Sequence, residues 1–552
     1  MFKSSKKAIA VLMALLMFSA ALGLSVYAET NYFTPSDKTE HSPDFNKGRI
    51  IVNSVGFLTK KLIPAILSVF PNPGWLKLED YEENTEFKGN AAQFSAEPTA
   101  QTWKAGYGSR SILPDDILSG DYNKVGSFSF PGIPVQEVVD DQRVSVVALD
   151  AGTGIALFVS LDGYGFTHAS ALALRESLKT AVAGKNVVSI NVSASHCHSG
   201  VDIHGLGAPM QNAITQALWS FVTRKALPYE SLNQKLIETL HTRAAEAVTE
   251  ALAGVSEGTL SFGSIGAADL MFDKQEPQAF DPNINHIRFV PTGGADEIWM
   301  VNLGVHPTIM SSDDNASSAD YPGMLAKLAK EQYGANVAFY NGAEVAITSR
   351  TPAVDYDETR HESMTRFAQI LLDRIVAADS GSYTILEPIL NIVSKEILVP
   401  VDNPLLWAFF KFQIVNNQMV ATSERAQDNR GVTEIGFCEL GKSLVIFNLP
   451  GEFSAELIWG GTQKKELSWR NSEWGYAPLA EQFPGKKVIC FGLTNDMIGY
   501  IIPDNDYAAP LADSFAQYLG ERNKHYEELL SPHSQAASNF VKEYIKLIDS
   551  VK

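Results

Sequence analysis

Three features of this 552-residue sequence predict an α/β fold. From Trp103 onward, short apolar runs alternate with segments of helical periodicity, the pattern of a sheet covered by helices. Hydrophobic residues make up 45% and charged residues 19%, a globular balance that excludes disordered, collagen-like and coiled-coil chains. Polar clusters stand just beyond several apolar runs, where open α/β sheets place ligands. The expected fold is a large mixed-sheet α/β domain with flanking helices over residues 103–552.

The N-terminus reads as an export signal. Lys3, Lys6 and Lys7 form a basic start, an apolar run covers residues 8–24, and Val26-Tyr27-Ala28 is a small-x-small cleavage site. Removal of residues 1–28 implies a secreted protein, outside the cytoplasmic membrane of a bacterium. No later stretch reads as long and apolar enough to span a bilayer. Residues 29–102 form an N-terminal extension: a polar lead-in, an apolar stretch at 49–72 and a polar linker at 82–102. The apolar stretch predicts a helix interrupted at Pro64. It either packs on the body or lies at a lipid entrance as an interfacial lid.

Within the main domain, the runs 144–149 and 155–161 flank Asp150-Ala151-Gly152-Thr153-Gly154, a hairpin signal. Strands are expected at 186–194, 298–305, 336–340, 444–449 and 487–491. Helices are expected at 171–183, 235–253, 324–333, 363–378 and 540–548. Residues 404–412 carry Leu405, Leu406, Trp407, Phe409, Phe410 and Phe412. That segment lines an apolar groove, touches membrane, or is buried between helices.

Charge narrows the partners. With 44 Lys+Arg against 63 Asp+Glu the net charge is −19. This argues against nucleic acid, which needs a basic footprint, and against electrostatic docking to anionic membranes. The 3 Cys cannot build a disulfide framework.

The strongest chemical signal is Ser195-His196-Cys197-His198-Ser199-Gly200 after an apolar strand. Extended backbone would place His196 and His198 on one face and Cys197 on the other. Two imidazoles so spaced share a metal, divide metal and substrate between them, or pair within a core. Cys197 reads as a small buried residue. Three further polar clusters follow expected strands: Val305-His306-Pro307-Thr308 with Ser318-Ala319-Asp320, then Pro450-Gly451-Glu452, then Asn495-Asp496-Met497-Ile498-Gly499-Tyr500.

Taken in order, these segments resemble the neutral, non-lysosomal ceramidase family, the zinc amidohydrolases of sphingolipid turnover. Ala105-Gly106-Tyr107-Gly108 through Leu113-Pro114 looks like the opening of that catalytic domain. The His196–His198, His306 with Asp320, Glu452 and Tyr500 segments look like its four later motifs. The resemblance spans residues 103–550. Ending at residue 552, the chain is expected to lack the family's Ig-like C-terminal module.

The resemblance implies one zinc per chain, held in the family by two His, a Glu and a Tyr. The carry-over gives His198, Glu452 and Tyr500 as ligands. The remaining His position falls at Asp140, with Asp141 adjacent, and a carboxylate there would pull the site toward harder ions. His196 would stabilise the oxyanion, helped by Tyr526. Asp320 or His306 would protonate the leaving amine, or His306 would orient a ligand. Ile309 stands where the family carries a substrate-contacting Ser, with Thr308, Ser311 or Ser312 as substitutes. The implied function is hydrolysis of the N-acyl amide of ceramide or a related lipid, with contact to a membrane surface. The alternatives are a hydrolase of another amide or ester, or a degenerate lipid-binding member.

Overall fold

The computed structural model describes residues 45–552 except 71, 126–131, 208–218, 220–221, 224–231, 311–313, 351–357, 379, 424–426 and 511–524. The export signal, Ser311 and Ser312 lie outside the described residues.

The hairpin signal at 150–154 forms as expected. It joins the antiparallel strands Arg143–Asp150 and Ile155–Leu161, and Asp150 accepts the N–H of Gly152 at 2.7 Å. Along the chain come α1 (Phe45–Leu67), β1 (Trp103–Ser111), β2 (Arg143–Asp150), β3 (Ile155–Leu161), α2 (His168–Val182), β4 (Val187–Ala194) and α3 (Gln234–Ala253). Then follow β5 (Ser256–Gly266), β6 (Asn283–Pro291), β7 (Ile298–Leu303), α4 (Asp320–Tyr333), β8 (Asn336–Asn341) and α5 (Arg360–Ala377). The last part holds β9 (Leu390–Pro400), α6 (Pro404–Lys411), β10 (Met419–Ala421), β11 (Arg430–Leu440), β12 (Leu444–Asn448), β13 (Glu452–Phe453), β14 (Lys487–Phe491), β15 (Tyr500–Ile501) and α7 (Ala536–Asp549).

A first mixed sheet runs β8-β7-β6-β5-β1-β2-β3-β4, with Thr384–Ile385 beside β5. A second contains β10, β11, β12 and β14, with β9 along β11 and Leu76–Lys77 beside β10. The two sheets face each other across Phe158, Phe289, Met300 and Tyr340 from the first and Ile392, Cys438, Ile446 and Phe491 from the second. Helices cover the outer faces, so the layers run α/β/β/α. On the first sheet, α3 buries Leu236, Leu240, Ala244, Ala247, Val248 and Ala251, one stripe at helical spacing. On the second, α7 contributes Phe540, Val541 and Tyr544. Helix α5 starts from a capping box in which Thr359 and Glu362 satisfy each other's backbone N–H.

Glycine in β1 sets the distance between sheet and helix. A Cβ at Gly106 would lie 2.0 Å from the Ala251 carbonyl oxygen, and one at Gly108 would lie 2.1 Å from that of Ala247. The Gly-x-Gly at the start of the domain therefore lets α3 rest on bare backbone.

Three expectations change. Helix α1 runs unbroken from Phe45 to Leu67, with Pro64 in its last turn, where a missing N–H and a ring disturb little beyond the helix end. Its stretch Gly48–Leu67 is, by length and composition, long enough to cross a membrane, contrary to the reading that no later segment is. The supposed linker at 82–102 is tied to the second sheet: Lys88 pairs with Glu434, and Asn90 donates to the Leu390 carbonyl at 2.7 Å. In α6 every residue is buried, which selects the buried reading of 404–412.

Replacing Gly108 with Ala is expected to cost about 1–3 kcal/mol through overpacking against α3. Gly266→Ala, where a Cβ meets nothing within 4 Å, is the control. Urea unfolding reads the difference, and equal midpoints for the two variants would contradict the packing argument.

Candidate metal centre

Five strand ends converge at one edge of the two sheets. Beyond β4 lies His196, beyond β7 His306, beyond β8 Glu344, beyond β12 Glu452, and beyond β14 Tyr500.

Strand β4 ends at Ala194, and His196 adopts φ +67°, a left-handed conformation that costs a non-glycine residue energy. Strand alternation therefore does not bring His196 and His198 together; this kink does. Their Nε2 atoms lie 3.2 Å apart and their rings 4.7 Å apart, edge to face. Cys197 is buried, as expected.

Glu452 and Tyr500 meet through backbone register. Strands β13 and β15 pair in parallel with Glu452 opposite Tyr500, which aligns their side chains on one face. The turns before them must approach closely: a Cβ at Gly451 would stand 2.6 Å from the Gly499 oxygen. The Tyr500 hydroxyl donates to the Glu452 carboxylate.

His306 completes the group. Its Nε2 lies 3.1 Å from Glu452 Oε2, and its ring is 4.9 Å from that of His196. His196 Nε2 lies 3.7 Å from Glu452 Oε1. Both rings are anchored from behind. His196 Nδ1 donates to the Tyr164 carbonyl at 2.6 Å, and His306 Nδ1 donates to that of Ile347 at 2.9 Å. A carbonyl only accepts, so Nδ1 carries the proton in each ring and Nε2 presents a lone pair. Burial lowers His196 to about 4 and His306 to about 3, so both are neutral.

Two neutral nitrogen lone pairs thus face one buried carboxylate. That opposition requires a proton or a cation between them. Burial pushes Glu452 up to about 7, and the opposing pull of His196, the Tyr500 hydroxyl and the charge of Lys274 does not offset it. Glu344 adds a second carboxylate. It is fully buried, 3.9 Å from His306 Nδ1, with neither oxygen hydrogen-bonded. Burial and then the charge of Glu452 push it well above the carboxylate range. His196, His306 and Glu452, with Tyr500 against the carboxylate and His198 beside His196, form a nitrogen–oxygen donor set suited to a zinc-like divalent cation. The ligand atoms of His196, His198 and His306 lie within 4.8 Å of one another.

The expected residues divide accordingly. His198, Glu452 and Tyr500 are brought together, and His196 and His306 join them on the ligand side. Asp140 does not. Its carboxylate accepts from the Ser318 hydroxyl at 2.5 Å and the Ala319 N–H at 2.7 Å, holding the start of α4. Asp320 is also otherwise engaged. It accepts the N–H groups of Met310 at 2.7 Å and Tyr321 at 2.6 Å, bracing the loop behind His306, and burial raises it to about 7. Tyr526 stands edge-on to Tyr500 at 5.8 Å. Ile309 packs against the main core. Sequence reasoning assigned no role to Glu344 or Tyr164; their one signal is position, just past β8 and β3.

A second buried group, His168 with Glu396 and Glu434, has metal-like spacing. Its charge is already balanced by Arg175, bidentate to Glu434 at 2.7 and 2.8 Å, and by Lys88. It serves the centre indirectly. Glu434 accepts from Asn495 at 2.9 Å and the His168 N–H donates to Asp496 at 2.9 Å, which fixes the turn leading to Tyr500.

His306→Ala is expected to leave substoichiometric metal by elemental analysis, while Asp140→Asn stays stoichiometric; the reverse pattern would restore Asp140 as a ligand. Because a proton on Glu452, near pH 7, competes with the cation, metal affinity should rise between pH 6 and 8, by up to about tenfold per unit. Calorimetric titration showing constant affinity over that range would contradict the arrangement.

No protein-family model matches the chain, and no curated protein matches it. Among solved structures, the neutral ceramidase from Pseudomonas aeruginosa matches with a TM-score of 0.56 at 15% identity, covering 81% of this chain and 75% of that one. A ceramidase complexed with C2 matches with a TM-score of 0.55 at 15% identity, covering 81% and 76%. The fold expected from the motif order is borne out: this chain has the neutral ceramidase fold.

Proposed function

We propose that this protein is a secreted, metal-dependent amidohydrolase that cleaves the N-acyl amide of ceramide or a related lipid. The observation carrying this reading is the opposition of the His196 and His306 lone pairs to Glu452 at 3.7 and 3.1 Å, on a fold shared with ceramidases. His196, His306, Glu452 and Tyr500 would hold the cation. When bound, a divalent cation supplies Lewis acidity, which acidifies water and polarises a carbonyl.

The chain's own groups do the rest. His198 Nε2 donates to His196 Nε2 at 3.2 Å, since His196 carries its proton on Nδ1. Were His196 to hold the cation, that N–H would be released toward the cluster, where it would stabilise negative charge on the carbonyl oxygen. Burial holds the Tyr500 and Tyr526 hydroxyls protonated, which keeps them hydrogen-bond donors. Asp320 and the Ile347 carbonyl keep His306 in place. Overall an O–H bond of water and the amide C–N bond break, a C–O bond forms, and the proton from water leaves on the amine.

The apolar surroundings suit a lipid. Tyr164 contacts the rings of His196 at 4.7 Å and His198 at 4.8 Å, and it belongs to one apolar cluster with Leu206, Leu529 and helix α6. Helix α1 joins that cluster through Leu67 and leaves Phe57, Leu58 and Leu62 more than half exposed. That face would rest on a bilayer. A second reading, a hydrolase of another amide or ester, is favoured by Ile309, which has no hydroxyl to offer a ceramide.

Fluorescent short-chain ceramide should be split into fatty acid and amine, chelator should stop the reaction, and zinc should restore it. Turnover of simple esters alone would select the second reading. The paired change Phe57→Asp, Leu58→Asp should weaken sedimentation with phosphatidylcholine vesicles several-fold and leave kcat/KM for a soluble amide unchanged. Undiminished vesicle binding would remove α1 from the membrane contact.

A further inference from the structure

The two imidazoles that face Glu452 come from different loops, and a side chain outside the metal centre ties those loops together. Asn341, the last residue of β8, is fully buried. Its side-chain nitrogen donates to the Ser195 carbonyl at 3.1 Å and to the Val305 carbonyl at 3.4 Å. Its side-chain oxygen accepts the Gly342 N–H at 2.9 Å, which settles which way the amide points and leaves both of its N–H groups for the carbonyls. Ser195 and Val305 are the residues immediately before His196 and His306.

The anchor has little freedom of its own. The turn after β8 is pressed between two strand ends: a Cβ at Gly342 would lie 2.8 Å from Gly304 Cα, and one at Gly492 would lie 2.2 Å from the Gly342 oxygen. The Asn341 carbonyl also accepts the Gly492 N–H at 2.9 Å. The carbonyls of Tyr164 and Ile347 fix how each ring is turned, not how far apart the two loops stand. Past the ligands, the His198 N–H donates to the Pro307 carbonyl at 3.2 Å; before them, the link is Asn341. The Ser195 carbonyl belongs to the peptide leading into His196, whose φ of +67° persists only where the surroundings over-determine it.

We propose that Asn341 is the positioning residue that sets the separation of His196 and His306, and with it the fit of the centre to a divalent cation. It acts through the peptides that enter the two ligands and contacts neither cation nor substrate. An amide suits the task because one planar group carries two N–H donors and an acceptor. An ionised Asp there has no donor, and Leu has neither donor nor acceptor. Outer partners of metal ligands typically change affinity about 10–100-fold. The inference rests on the metal-centre reading of His196 and His306 and adds a residue to it.

The test uses the full chain, freed of metal by chelator and titrated calorimetrically with zinc. Two variants remove the donors: Asn341→Asp keeps the shape, and Asn341→Leu adds no charge. Each should bind zinc about 10–100-fold more weakly than the wild type. Cobalt(II) bound in place of zinc should show altered visible absorption bands, which report ligand geometry and not stability. The control is Asn90, a buried amide at the hairpin end of the sheets with the same pattern of bonds. It donates to Thr153 Oγ1 at 2.8 Å and the Leu390 carbonyl at 2.7 Å, and accepts the Ile392 N–H at 2.9 Å. Asn90→Leu should lower the melting temperature yet keep wild-type zinc affinity and cobalt bands. Wild-type affinity and bands in either Asn341 variant, or an equal loss in Asn90→Leu, would overturn the assignment. The two ideas fail differently: a wild type that binds no zinc sinks the metal centre and this inference with it, whereas Asn341 variants that match a zinc-binding wild type sink the inference alone.

Discussion

One electrostatic conflict organises this molecule: a carboxylate, Glu452, is held out of water against the lone pairs of two neutral imidazoles. Desolvating such a group is costly, and the Tyr500 hydroxyl and the charge of Lys274 relieve it only in part. The fold supplies the rigidity that sustains the conflict. Backbone carbonyls at Tyr164 and Ile347 fix both ring tautomers. The parallel register of β13 and β15 fixes Glu452 against Tyr500. A cation entering there meets donors already oriented, so binding energy is not consumed in ordering them.

The architecture explains why the donors come from such distant parts of the chain. Strands β3 and β4, β7 and β8, and β12 and β14 pair in parallel, so their C-terminal ends point the same way. Side chains just past those ends meet at one edge although up to roughly three hundred residues of sequence separate them. The buried network of Lys88, Arg175, His168, Glu396 and Glu434 anchors the turn that carries Tyr500. Through Lys88, the segment before the main domain takes part in that support.

The sequence was most readable where chemistry and local geometry coincide. His196 and His198 follow an uninterrupted apolar strand, and Glu452 and Tyr500 follow glycine turns that only close backbone approach requires. Asp140 illustrates the opposite case. It is a carboxylate at the right point in a motif order, but what it caps, Ser318 and Ala319, becomes visible only once β7 and α4 are placed. The division of labour between His196 and His198 depends on a left-handed residue that strand alternation cannot anticipate. Strands β9 and β11 escaped notice because each carries charged residues in mid-strand, Lys395 and Glu396 in one and Glu434 in the other. Those charges break the apolar signal, and their partners come from elsewhere in the fold. Glu344 was silent for the same reason: an unsatisfied buried polar group is a property of the packed structure.

The most direct test is crystallography of the protein grown with zinc, with anomalous data collected at the zinc edge. The account predicts a single strong peak enclosed by His196 Nε2, His306 Nε2 and the Glu452 carboxylate. A peak on Asp140, a peak among His168, Glu396 and Glu434, or none at the five strand ends would contradict it.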